Sequence, residues 1–425
     1  MRSIIIIILF CGFSVFAVSA SAQITWVNPL PQGNPIKSLC FTNSQEGFMV
    51  GNAGTMLRSD NNGLNWASID SVTSNNLAAI DCFNDNYLFA AGDSGIILRS
   101  LDAGMTWERL SGASDKAIND IHIIDSVTVI TVGDYGKITK TTDGGDSWYE
   151  ISSPTFLHLS GVCFPDDNTG YVVGGDKGFN GIILKSLDKG ETWDTLSTQF
   201  EGHLYSVVFI DSLKGYTAGN YSMIYKTITG GQLWAPLYNP NQGGNHHIRD
   251  MAFSDFNTGF TVDIHGHILR TFNAGATWDS LYSKVNTALY TIGFNDEGSF
   301  FSAGFGGMIL RSPDEGLNWQ PLSTGTHINL VSIDFPQPSI GFITGSGGLF
   351  STENAGQQWD YHDVAELMYA VDAHFLDGQT GYVLDVDGAI FKTTDGGDTW
   401  MEQNTGEKSQ AYKAIFMVSP VQGYA

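Results

Sequence analysis

Short runs of β-branched and aromatic residues, broken by Gly-, Asn- and Asp-rich turns, follow one another along almost the whole chain. Leu159–Phe164 (LSGVCF) recurs as Leu204–Phe209 (LYSVVF) and Leu330–Phe335 (LVSIDF). Each such run leads into a Gly-aromatic stretch such as Gly170–Gly174 (GYVVG), and then into a third run such as Gly95–Ser100 (GIILRS). Nothing shows helical periodicity, and alternating runs of this length between turn residues predict strands. The 10 tryptophans set the period: Trp26, Trp66, Trp107, Trp148, Trp193, Trp234, Trp278, Trp319, Trp359 and Trp400 stand 40 to 45 residues apart. A repeat of that size holds one four-stranded unit, which cannot bury both faces alone and must stack on its neighbours. The pattern predicts an all-β chain, a β-propeller of four-stranded blades.

Every repeat after Trp26 ends in one eight-residue box, best seen in Ser100–Trp107, Thr141–Trp148 and Thr393–Trp400. Its first position is always Ser or Thr, its fifth always Gly and its eighth always Trp. The third position is Asp at Asp102, Asp143, Asp188, Asp314 and Asp395, Asn at Asn61, Asn273 and Asn354, and Thr at Thr229. An Asp or Asn there can accept from the N–H groups of its own turn, and Gly supplies the left-handed backbone. Trp107, Trp148, Trp193, Trp319 and Trp400 then fall on the outgoing strand and are expected to bury a large surface between units.

The box and the run Gly381–Trp400 resemble the BNR/Asp-box propellers, most closely the photosystem II assembly-factor-like branch. The resemblance covers essentially all of residues 23–425. It implies box turns on one face of the propeller and ligand sites on the opposite one, and it is specific for fold far more than for activity.

About ten repeats are present, nine complete and a partial tenth. Residues 23–30 carry a lone Trp26 strand, and residues 411–425 begin a repeat that stops within its second strand. These halves are complementary, and the joint after Trp319 has no linker composition. The expectation is a fragment of a longer protein whose repeats close as a single ring of about ten blades. The alternative is a seven-bladed propeller followed by part of a second.

Composition narrows the function classes. With 20 Lys and Arg against 44 Asp and Glu, the net charge of −24 disfavours nucleic acid and anionic membranes as partners. Residues 1–22 combine Arg2, the apolar run Ile4–Val18 and the small residues Ser19–Ala22, which reads as a signal peptide. The expected location is therefore outside the cytoplasm: extracellular, periplasmic or on the cell surface. No other apolar stretch is long enough to span a bilayer. The remaining Cys40, Cys82 and Cys163 are odd in number and are read as buried thiols, not a disulfide framework.

Candidate binding residues come from the connections on the face away from the boxes. Asp93 and Asp134 follow a turn Gly, and Asp263 and Asp385 replace that Gly. His158, His203 and His247 each precede the first strand of three successive repeats, and His246, His265 and His267 gather in the last of these. The site candidates are Asp93, Asp134, His158, His203, His247, Asp263 and His265. Imidazoles with a carboxylate suit zinc-like ions, but the spacings match no zinc motif, so no metal and no cofactor is expected. A sialidase needs three arginines on the substrate carboxylate, whereas only Arg109 and Arg249 of the arginines after residue 22 fall outside the repeat slot before the box. No catalytic residue is assigned. The expectation is a secreted, non-catalytic binding or assembly scaffold for a protein or glycan partner. The alternative is a glycoside hydrolase of the two-propeller xyloglucanase type, with Asp93, Asp134 and Asp263 as candidate acids.

Overall fold

A computed structural model describes residues 32–425 apart from 43–44, 71, 113, 177–179, 242–245, 282, 284, 323–329, 346–347, 357–358, 365–366, 368 and 404–411. The expected signal peptide, the Trp26 strand and the joint after the seventh repeat fall outside the described residues. No helix among the described residues is long and apolar enough to cross a membrane.

The described chain is built of antiparallel four-stranded sheets, each contiguous in sequence. The first comprises Ile36–Phe41, Gly47–Gly51, Met56–Ser59 and Ala67–Ser68, hydrogen-bonded in that order. The second strand of a blade is buried on both faces, as Gly47–Gly51 and Leu88–Gly92 are throughout, because a neighbouring blade covers each side. This explains the continuous apolar runs where a half-exposed sheet would alternate.

The boxes are self-contained hydrogen-bond networks. Ser100 Oγ accepts from Gly104 N at 2.9 Å and donates to Asp102 Oδ1 at 2.9 Å. Asp102 in turn accepts from Thr106 N at 2.9 Å. The same triplet recurs at Thr141, Asp143 and Ser147. Donation from the Ser147 hydroxyl and N–H holds the Asp143 carboxyl down at about 2. The Trp stands at the foot of the fourth strand, one residue before it, not within it. Trp193 donates Nε1–H to Gly190 O at 3.1 Å, and Trp319, at 1% exposure, is the most buried of the set.

Seven blades close into a ring. Each second strand carries a large apolar residue that packs over the box Gly of the following blade: a methyl on Gly104 would lie 2.4 Å from the Phe48 ring, and one on Gly316 2.3 Å from Phe260. Phe301 of the seventh blade does the same to Gly63 of the first, also at 2.4 Å. Its ring lies 4.8 Å from Phe41 and 6.4 Å from Trp66. Asn62 Nδ2 donates to Glu297 Oε1 across the same seam at 3.1 Å. The single ring of about ten blades is thus corrected to the alternative arrangement. Blade seven finds its apolar partner in blade one, and its four strands, Leu289–Phe294 to Gln320–Pro321, need no strand from either terminus.

Past the ring, a further set of blades begins: Leu330–Asp334 to Asp360–Asp363, then Ala370–Phe375 to Met401–Gln403, then a hairpin of Phe416–Ser419 and Gln422–Tyr424. They stack on one another as the earlier blades do, with Phe342 against Phe375 at 3.8 Å.

Inter-blade clips reinforce the apolar packing. Asp81 Oδ2 accepts from Ile123 N at 2.8 Å, Asp120 Oδ2 from Val162 N at 2.8 Å, and Asp250 Oδ2 from Ile292 N at 3.0 Å. Asp334 and Asp372 repeat the contact in the second set. Each carboxylate caps a backbone N–H in or just before the first strand of the next blade, satisfying a donor that no sheet partner reaches. Cys40, Cys82 and Cys163 are free thiols, half-buried on the first strands of blades one, two and four; burial pushes the Cys163 thiol up to about 12.

Candidate functional site: the mouth of the seven-bladed ring

The first strands of all seven blades line one central cavity of about 1160 Å³. Every one of these strands has a register irregularity near its start, as between Ile36 and Ser38, between Leu159 and Gly161 and between Ile248 and Asp250. The displaced residues are Lys37, Ala78, Asn119, Ser160, Tyr205, Arg249 and Tyr290, one per blade, and all seven line the cavity. A bulge re-aims a side chain that regular pairing would place on a sheet face. The repeat thereby presents one variable residue per blade to the channel.

Chemistry is unevenly spread around this circle. Tyr205, Arg249, Tyr290 and Lys37 follow each other on blades five, six, seven and one. Arg249 lies over the Tyr205 ring with its Cζ 4.1 Å from the centroid, and Lys37 Nζ lies 3.5 Å over Tyr290. Neither cation has a carboxylate ion pair among the described residues, and Arg249 Nε is buried without a hydrogen-bond partner. Burial, then the nearby Arg249 charge, pushes the Lys37 amine down to about 8. Aromatic faces hold two like charges together there, in a chain of strongly negative net charge.

The opposite arc is neutral or acidic. Asp93 accepts from Asn76 Nδ2 at 2.8 Å, and Asp134 accepts from Asn119 Nδ2 at 3.0 Å. His158 Nδ1 meets Asp134 Oδ1 at 2.8 Å. These aspartates open the short turns Asp93–Gly95 and Asp134–Gly136. The preceding Gly is required: a Cβ on Gly92 would fall 2.0 Å from Asn76 O.

Of the residues expected to form a site, Asp93, Asp134, His158, His203 and His247 line the cavity. His203 Nε2 pairs with Ser160 Oγ at 2.7 Å, and burial drives its imidazole down to about 4. His247 Nδ1 accepts from Tyr221 N at 3.4 Å, and burial, then Arg249, lowers it too. Asp263 and His265 belong elsewhere, with His246 and His267. Lys37, Arg249, Tyr205 and Tyr290 went unrecognised. Their signal lay in the slot after the first aliphatic residue of each repeat, which reads Lys, Ala, Asn, Ser, Tyr, Arg, Tyr through the seven blades.

Two further carboxylates at the cavity wall carry raised proton affinity. Burial pushes Asp120 up to about 8 and raises Asp250. Both are clip residues whose oxygens are engaged by backbone N–H groups, so their perturbation has a structural source.

Fold and mouth together define an Asp-box β-propeller with a closed seven-bladed ring and the start of a further set of blades. The model of photosynthesis system II assembly factor YCF48 matches residues 19–156, 107–249 and 239–368, and the chain belongs to this family. No curated protein sequence matches it. Among solved structures, YCF48 bound to D1 peptide superposes with a TM-score of 0.58 at 19% identity, covering 69% of this chain and 97% of that one. YCF48 from Cyanidioschyzon merolae gives 0.54 at 18% identity, over 67% and 96%. The GH74 xyloglucanase from Xanthomonas campestris gives 0.59 at 13% identity, over 94% and 84%. At these identities the likeness speaks for the fold.

Proposed function

We propose that this protein is a non-catalytic binding scaffold that takes a carboxylate-bearing segment of a protein partner at the mouth of its seven-bladed ring. The observation that carries the reading is the Tyr205–Arg249–Tyr290–Lys37 arc, with its cations on blades six and one and the unpartnered, buried Arg249 Nε. An anion there would neutralise the Lys37–Arg249 repulsion and accept hydrogen bonds in a setting partly removed from water, where charge-assisted bonds are strongest. The likeness to YCF48 bound to D1 peptide supports a polypeptide as the occupant. The non-catalytic part rests on how the mouth's carboxylates are used: Asp93 and Asp134 are held by side-chain amides, and Asp120 and Asp250 by the next blade. The segment at residues 1–22 supports export to the extracellular space, the periplasm or the cell surface.

Selection from a displayed random-peptide library tests this. Peptides retained by the protein and lost on Lys37→Gln/Arg249→Gln should be enriched in Asp, Glu or a free C-terminus. A retained pool with no such enrichment would sink the reading. A glycoside hydrolase is the second reading, favoured by the blades that begin past the closed ring and by the xyloglucanase likeness. New reducing ends from xyloglucan would establish it.

A further inference from the structure

On the sixth blade, Asp263 ends the second strand where blades one to five and seven place glycine. Its carboxylate is buried, at 4% side-chain exposure, and its two oxygens have different duties. Oδ1 accepts from the backbone N–H of His265 at 2.8 Å and of His267 at 2.9 Å, holding the turn to Ile268–Thr271. Oδ2 faces two imidazoles, His267 Nδ1 at 2.9 Å and His246 Nδ1 at 3.1 Å, and His267 Nδ1 also lies 3.2 Å from Oδ1.

The ninth repeat supplies an internal control. Asp385 fills the same slot, its Oδ1 accepts from Asp387 N at 2.9 Å, and Gly388 N donates back to Asp385 O as Gly266 N does to Asp263 O. That turn forms without any histidine, since Asp387 and Ala389 stand where His265 and His267 do. The turn therefore needs Oδ1 alone. The imidazoles converging on Oδ2 serve something else.

We propose that His246, Asp263 and His267 form a binding site for a divalent first-row transition cation such as Zn²⁺. Two imidazole nitrogens and one carboxylate oxygen are the donor set that such borderline ions prefer over Ca²⁺ or Mg²⁺. The three donor atoms lie within 4.8 Å of one another. Tetrahedral zinc with bonds near 2.0–2.1 Å spaces its ligands by about 3.3 Å, so modest rotation of two partly exposed rings completes the geometry. Asp263 Oδ1 is fixed by two backbone donors, which orients Oδ2 as an outer-shell partner would. His246 and His267 keep 28% and 39% side-chain exposure, leaving an entry path and room for water. The His265 ring, 5.0 Å from that of His246, stands beside the set as a further imidazole. A bound ion would tie the connection entering the sixth blade, at His246, to the turn at 263–267 of that blade. This site is separate from the mouth and does not depend on the peptide reading.

The test uses tag-free protein and Zn²⁺ alone. Calorimetric titration and metal analysis after gel filtration should give one ion per chain. X-ray absorption should show two imidazole ligands. His246→Gln and His267→Gln should each weaken binding by at least about 100-fold, since even outer-shell losses cost 10–100-fold. Circular dichroism of these surface variants checks that they remain folded, and His374→Gln should bind as the parent does. Absence of stoichiometric uptake by the folded parent, or uptake unchanged in the His246→Gln/His267→Gln double variant, would overturn the proposal.

Discussion

If the ring closes between blades seven and one, Phe301 and Phe41 are energetic partners although 260 positions separate them in sequence. Phe301 is fully buried on the strand Phe300–Gly304, and its ring lies 4.8 Å from that of Phe41 at an interplanar angle of 40°. Truncating Phe301 to Ala should cost about 3–5 kcal/mol, the usual range for a buried aromatic. Milder Leu substitutions suit a double-mutant cycle, because both single variants and the pair should stay folded. Aromatic pairs in this geometry contribute about 0.5–1.5 kcal/mol beyond buried area, so the coupling between Phe301→Leu and Phe41→Leu should be about 1 kcal/mol. Urea unfolding followed by tryptophan fluorescence reads it, since Trp66 sits in the same seam. In a ten-bladed ring Phe301 would face the eighth blade and the two substitutions would simply add. Additivity within about 0.3 kcal/mol would refute the seven-bladed closure.

Two further outcomes follow from the clips and from the buried imidazole. Asp120→Ala should destabilise by about 1–3 kcal/mol, because it leaves the Val162 N–H without an acceptor, whereas Asp120→Asn keeps a carbonyl oxygen there and should recover most of the loss in a thermal melt. His203 is held neutral by burial, with a folded value of about 4 below its unfolded one of about 6.5. Its contribution is present above the unfolded value and is lost as pH falls from about 6.5 towards 4, so His203→Gln should flatten the melting temperature in that window; an unchanged profile would contradict it.

Much of the fold is readable from the repeat. Gly63 and Gly104 stand where a neighbour's aromatic ring leaves no room for a methyl, and Gly145 where Leu110 leaves none. The box Ser and Thr were visible as invariant, but their purpose, accepting from the box Gly N–H, needed the turn's geometry. Blade number is not readable, because Phe301 looks like its equivalents Phe48, Phe89 and Phe260 in earlier blades. Which neighbour it meets depends on the angle each blade subtends, a property no local pattern carries. The mouth was half legible. Turn aspartates and pre-strand histidines announce themselves by position, and five of the seven expected residues do line the cavity. Lys37 and Arg249 escaped because a one-residue bulge turns them towards the channel, and alternation along the strand gives no hint of it.

The central claim, that the Lys37–Arg249 pair receives a carboxylate of a polypeptide, is tested most directly by fluorescence anisotropy. A peptide selected by the protein is compared with its counterpart in which Asp, Glu and the C-terminus are replaced by amides. The carboxylate form should bind at least about tenfold tighter, consistent with the worth of a charge-assisted hydrogen bond. Its advantage should shrink as pH rises through about 8, where Lys37 loses its proton, and should vanish in Lys37→Gln/Arg249→Gln. Equal affinity for the two peptides, or a preference that survives the double substitution, would contradict the account.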